Sequence, residues 1–291
     1  MAVSEPTSVL AVQATLGEGP VWVERDHALW FVDIKAPAVH RFDPASGEHR
    51  SCVAPAQIGW VQPSDDGLFL AGLQHGIARF DPATGTFDAI RDPEPALPGN
   101  RLNDSTVDAA GRIWFGTMDD GEAAHSGRLW CHDGGTFRDS GLAPVAITNG
   151  PARSPDGRTL YHTDTLGGVI HAVPVHDDGT LGEARIFAEI AESDGWPDGC
   201  VTDADGHLWT GLWGGWRARR YDPTGRIAAE VRFPCANITK IAFGGPDLAT
   251  AYATTARKGL DAAALDAQPL AGNLFAFDAG VAGLPGHVAR S

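Results

Sequence analysis

The stretch Arg101–Met118, R-L-N-D-S-T-V-D-A-A-G-R-I-W-F-G-T-M, decides how the chain is read. Its second half, Ile113-Trp114-Phe115-Gly116-Thr117, is an apolar run of β type that follows a turn at Ala110-Gly111. Its first half sets Arg101, Asn103 and Asp104 at the head of another short strand, Ser105 to Asp108. An arginine, an amide and a carboxylate gathered at one strand head are costly to bury without a purpose. The same unit recurs along the chain, its register held by one aromatic position: Trp30, Phe69, Trp114, Tyr161, Trp209 and Tyr252, spaced 39 to 48 residues apart. That spacing is the span of a four-stranded propeller blade.

A turn precedes most of these runs, at Asp66-Gly67, Ala110-Gly111, Asp156-Gly157 and Asp205-Gly206. Glycine supplies positive φ and aspartate caps its own turn, so the pair suits a hairpin. A third strand follows, ending in R-F-D-P at Arg41 and Arg79, R-L-W-C at Arg128, R-Y-D-P at Arg220 and L-F-A-F at Leu274. The expected fold is all-β, a six-bladed β-propeller with one domain spanning residues 1–291. Ser8 to Gln13 precede the first repeat and are expected to pair with the last blade, closing the ring and protecting its edges. Two β-sandwich domains are the competing architecture, and no linker-like shift in composition supports them.

The totals agree with many short strands. Glycine (36) and proline (20) are abundant, and no long segment shows helical periodicity. A formal net charge of −15 with no basic cluster argues against nucleic acid or an anionic membrane as partner. Cys52, Cys131, Cys200 and Cys235 show no C-x-x-C spacing, which disfavours zinc ribbons and redox motifs. The N-terminal M-A-V-S-E-P-T-S-V-L has neither a basic start nor a long apolar core, and no transmembrane run follows, so a cytoplasmic protein is expected. D-A-D-G at Asp203 lacks the rest of a calcium loop, and its register marks it as a hairpin turn. No G-x-S-x-G and no H-E-x-x-H occurs.

Counting back from each register aromatic to the head of its first strand gives Glu18, Ile58, Asn103, Asn149, Asp198 and Thr239. In a propeller the first strand of every blade lines the central channel, so these positions converge on one rim. Four of the six are Glu, Asn, Asn and Asp. Two carboxylates and an amide oxygen meeting at a point repel one another, and a cation between them explains the arrangement. Oxygen ligands suit a hard or borderline divalent metal. Three protein ligands would leave coordination positions open, as in a catalytic site. Asn and Asp also cap turns at strand heads, but four in register weigh against capping alone.

The chain resembles the gluconolactonase, regucalcin and senescence-marker-protein family over nearly its whole length. The resemblance rests on L-G-E-G-P-V-W from Leu16, R-L-N-D with G-R-I-W-F-G-T-M, T-N-G at Thr148 with D-G-R-T-L-Y, P-D-G at Pro197 and T-K-I-A-F-G-G at Thr239. It implies a six-bladed propeller holding one divalent metal ion, with iron(II), zinc, calcium and manganese as candidates. It implies hydrolysis of small-molecule sugar lactones, such as xylono-, arabinono- or gluconolactone, to aldonic acids. Position by position, the metal ligands fall on Glu18, Asn149 and Asp198, and the substrate contacts on Arg101, Asn103 and Glu122. The metal would polarise the lactone carbonyl. Asp198 is the candidate general base, and water activated by the metal is the alternative. Asp104 reads as a strand-head cap. A broader esterase or organophosphate hydrolase, and a non-catalytic calcium-binding or scaffold propeller, are the alternative functions, because fold alone does not fix function. A monomer is compatible with all of this.

Overall fold

The computed structural model describes residues 3–291. Their strands form six four-stranded antiparallel sheets, the blades of a β-propeller. The innermost strands are Gly17–Val23, Ile58–Pro63, Asn100–Val107, Thr148–Arg153, Trp196–Thr202 and Ile238–Gly244, in blades 1 to 6. Each packs beside the innermost strands of the blades before and after it, and the sixth packs beside the first. The ring is therefore closed.

An N-terminal strand closes the ring as expected, but it begins at Thr7 and stops at Leu10 rather than running to Gln13. Thr7–Leu10 pairs antiparallel with Leu274–Asp278 and supplies the fourth strand of blade 6. An edge that would otherwise display unpaired backbone groups is thereby covered. At the other terminus, residues 279–291 cross the opposite face. Ala204 N donates to Ala282 O and Gly283 N to Leu248 O, and further on Ala289 N donates to Pro63 O and Arg290 N to Gly111 O. This strap ties hairpin turns of blades 5, 6, 2 and 3.

The repeat aromatics are the mortar between blades. Trp30, Phe69, Trp114, Tyr161, Trp209 and Tyr252 are all buried. Three of the indoles are fixed by a nearby carboxylate: Trp114 Nε1 donates to Asp108 (3.1 Å), Trp209 Nε1 to Asp203 (2.9 Å) and Trp30 Nε1 to Asp26 (3.0 Å). In the stretch that decided the fold, Asp108 also accepts from the backbone of Ala110 and Arg112, and Gly111 has φ +80°. One aspartate thus sets both the turn and the core tryptophan that follows it.

Two details differ from the sequence reading. R-L-W-C and L-F-A-F open their strands, Leu129–Asp133 and Leu274–Asp278, rather than closing them. A short helix, Ala262–Ala267, capped by the Asp261 side chain, lies between the second and third strands of blade 6. No helix among the described residues is long and apolar enough to cross a membrane.

Candidate functional site

Every innermost strand carries a bulge at the same level. Pairing with the second strand slips between Glu18 and Val21, Ile58 and Trp60, Leu102 and Ser105, Asn149 and Ala152, Pro197 and Cys200, and Ile238 and Ile241. A bulge breaks the in–out alternation and re-aims the side chains beside it. Here it delivers strand-head residues to the channel. Gly19 and Gly150 each hold φ +55° at their bulges. A Cβ would lie 2.7 Å from Gly59 O at the first and 2.6 Å from Cys200 N at the second, so neither position tolerates a side chain.

Glu18, Arg101, Asn103, Glu122, Asn149 and Asp198 all line one cavity of about 220 Å³ at this end of the channel. All six residues singled out from the sequence are therefore brought together. The other two register positions are structural. Ile58 is buried in the apolar core, and Thr239 Oγ1 donates to Gly17 O (2.6 Å), lacing blade 6 to blade 1. The loop Asp119–Ser126 contributes Glu122, and Glu192–Pro197 contributes Trp196. A larger cavity, about 520 Å³, opens at the far end of the channel beneath residues 284–287, and none of the six residues reaches it.

Glu18 and Asp198 are only 4% and 5% exposed. Burial, and then the charge of Asp104, holds the Glu18 carboxyl above the usual range, against a 2.8 Å hydrogen bond from Gly19 N–H. Burial, then the charges of Glu18 and Asp104, raises Asp198 well above its ordinary value. Asn149 is fixed at both ends: its Nδ2 donates to Thr165 Oγ1 (3.0 Å), and its Oδ1 accepts from Asn103 Nδ2 (2.8 Å). Asn103 Nδ2 also donates to Thr148 O (2.7 Å), and Asn103 Oδ1 accepts from Arg101 Nη1 (2.6 Å). The amide of Asn103 is thus engaged on both sides, and it orients Asn149. Arg101 is 2% exposed, and its Nε lies 2.9 Å from Asp120 Oδ1. Lys35 and Gln57 also donate to Asp120. Against a desolvation that would raise it, hydrogen bonds from Lys35 and Gln57 and the charge of Arg101 hold Asp120 at about 2.

One layer deeper, a buried ion pair crosses the channel. Lys240 Nζ lies 2.5 Å from Asp104 Oδ1 and 3.1 Å from Ser105 O, with side chains 8% and 1% exposed for Lys240 and Asp104. Asp104 accepts from Ser105 N (2.7 Å) and from Gly150 N (3.0 Å), at the bulge inside the strand Asn100–Val107 rather than as a cap at a strand head. The stem of Lys240 fills the space beneath Gly199, where a Cβ would meet it at 2.6 Å. The pair therefore supports the backbone immediately after Asn149 and after Asp198. Sequence reasoning missed Lys240, though a signal was present. The residue following each register position is glycine in four blades (Gly19, Gly59, Gly150, Gly199) and a charge in the other two, Asp104 and Lys240. Lys258 and Trp213 were also missed, since they lie at or just beyond strand ends; Asp120 and Trp196 belong to the loops Asp119–Ser126 and Glu192–Pro197, which were expected over the channel without these residues being singled out.

A second group, Asp203, Asp205 and His207, has its ligand atoms close together, but its central carboxylate, Asp203, is already engaged. Asp203 accepts from Trp209 Nε1, Arg220 Nε and the backbone of Asp205 and His207. It is the hairpin turn its register indicated.

The SMP-30/gluconolactonase/LRE-like region, as a family, matches residues 16–257. A 6-deoxy-6-sulfogluconolactonase of Pseudomonas putida is 33% identical over 94% of this chain and 95% of its own length. An L-arabinolactonase of Azospirillum brasilense is 34% identical over 93% of this chain and 91% of its own length. Among solved structures, a calcium-binding regucalcin of Agrobacterium tumefaciens superposes with a TM-score of 0.91 at 30% identity, covering 99% of this chain and 97% of that one. The chain belongs to the SMP-30/gluconolactonase/LRE-like family.

Proposed function

We propose that the channel-mouth cavity opens sugar lactones to aldonic acids, with one divalent metal ion held by Glu18, Asn149 and Asp198. The observation that carries this reading is the buried carboxyl pair beside an oriented amide oxygen. Burial and mutual repulsion oppose the charged forms of Glu18 and Asp198, and a divalent cation relieves both penalties. Asn149 Oδ1 keeps a lone pair beyond the one it gives to Asn103. This donor set fits an oxygen-preferring divalent cation. The sugar-lactonase relatives support the reaction class, and the calcium-binding relative supports the metal.

Bound there, the metal supplies Lewis-acid polarisation of the lactone carbonyl. The protein does the rest. Asp198 accepts a proton at its carboxylate as water attacks the carbonyl carbon. It returns that proton to the ring oxygen as the ester C–O bond breaks. Arg101, steadied by Asp120, offers its guanidinium to sugar hydroxyls and to the developing oxyanion. Asn103 acts mainly through Asn149. Met118, Ile147 and Trp213 form apolar walls that limit bulk water.

The test is proton release, because the aldonic acid ionises at neutral pH. Pentono- and hexonolactones are offered to the metal-loaded protein in weakly buffered indicator, against the spontaneous rate. Opening of these lactones well above that rate is expected. A protein that binds metal but accelerates none of them is a calcium-binding propeller instead. One that prefers simple esters or phosphotriesters is a broader hydrolase.

A further inference from the structure

Two cationic side chains line the cavity, Arg101 and Lys258. Arg101 is held by Asp120 through Nε and by Asn103 through Nη1. Lys258 is placed differently. It lies just after the second strand of blade 6, Thr250–Thr255, and its Nζ pairs with the carboxylate of Glu122, just after the second strand of blade 3, Ile113–Asp119. Blades 3 and 6 stand opposite each other in a ring of six. The pair therefore spans the mouth of the cavity. Its side chains are 30% and 39% exposed, in contrast to the buried groups beneath.

Both anchors are rigid. Lys258 N donates to Thr15 O (2.8 Å), and Lys258 O accepts from Asn237 Nδ2 (3.1 Å). Glu122 holds φ +59°, and its N–H donates to Asp119 O (2.9 Å). The Asp119 carboxylate caps the next two amides, Ala123 and Ala124. A molecule entering between the two side chains parts them, since the backbones are held. An ion pair this exposed is cheap to open. Parting it leaves an ammonium and a carboxylate on facing sides of the entrant. The ammonium keeps a neighbour in Trp213, whose ring centroid is 5.9 Å away.

We propose that Lys258 is a specificity-determining residue. It exchanges its contact with Glu122 for hydroxyl groups of the lactone remote from the carbonyl, and so selects polyhydroxylated lactones over bare ones. This rests on the lactonase reading above. An ammonium is a three-fold donor suited to neighbouring hydroxyls, and a site built to bond a substrate hydroxyl discriminates strongly against the analogue lacking it.

The experiment compares wild type, Lys258→Met and Lys258→Arg as full-length metal-loaded proteins. Substrates are a pentonolactone and the unsubstituted ring of the same size, γ-butyrolactone. Wild type is expected to favour the hydroxylated ring in kcat/KM. In Lys258→Met that preference falls ~10- to 100-fold, the weight of a hydrogen bond to a charged group, and the loss appears mainly in KM. Lys258→Arg keeps most of the preference. Metal content and thermal midpoint stay at wild-type values, which separates recognition from a structural role. A Lys258→Met preference within twofold of wild type overturns the inference and leaves the lactonase reading intact. A wild type that opens neither ring overturns both.

Discussion

Asp198→Asn lowers kcat for lactone opening by ~10²–10⁴, the usual cost of losing a general base. The substitution keeps the side chain's shape and one oxygen. It removes the proposed proton-accepting carboxylate and one of the two carboxylates proposed to hold the cation. The side chain is 5% exposed and packed at a bulge, so a large rearrangement is not available to compensate. Asn103→Ala is the informative contrast. Both residues head innermost strands, but Asn103 spends its amide on Asn149 and on Thr148 O. Its loss frees Asn149 to turn. Metal affinity is expected to fall ~10- to 100-fold, as for a residue that orients a ligand from behind, with kcat recovering when metal is supplied in excess. Steady-state kinetics beside elemental analysis separates the two. Asp198→Asn with full metal and wild-type turnover would remove Asp198 from the chemistry.

Lys240→Met destabilises the fold by ~3–5 kcal/mol, because it leaves the Asp104 carboxylate buried without its cation. Asp104 already sits near Glu18 and Asp198, and its charge contributes to raising both. Removing Lys240 takes away a charge that opposes the rise at Glu18. The double variant Asp104→Asn/Lys240→Met keeps approximate shape and removes both charges, so most of the stability returns. Denaturant unfolding of the wild type, the single variant and the double variant measures this directly. If Lys240→Met alone costs less than ~1 kcal/mol, the usual weight of an exposed pair, the channel pair does not support the fold in the way described.

The fold was legible because each blade must bury an aromatic at a fixed place and turn sharply before it. Trp114 with Asp108 and Gly111 shows both demands in a single stretch. The fourth strands left little trace. His49–Val53 and Thr86–Arg91 lie at the outer rim, largely exposed, with no apolar alternation for a reader to find. The rim residues were legible from their register, yet the bulges that aim them were not. A bulge is a relation between two strands, and Glu18 or Asn149 looks the same in sequence with or without one. The cross-channel pairs were beyond reach for a different reason. Asp104 with Lys240 and Glu122 with Lys258 are each 136 residues apart. Both join blade 3 to blade 6, and only closing the ring brings opposite blades face to face.

One cation in the ring of Glu18, Asn149 and Asp198 is proposed to serve lactone opening. The direct measurement strips the protein of metal, confirms the loss by elemental analysis, and follows pentonolactone opening as a divalent metal is returned in measured amounts. The stripped protein is expected to keep its far-ultraviolet circular dichroism, because the blades bury their own cores, and to lose its activity. Activity should then rise in proportion to added metal and stop at one ion per chain. Full activity in protein shown to hold no metal would contradict the account.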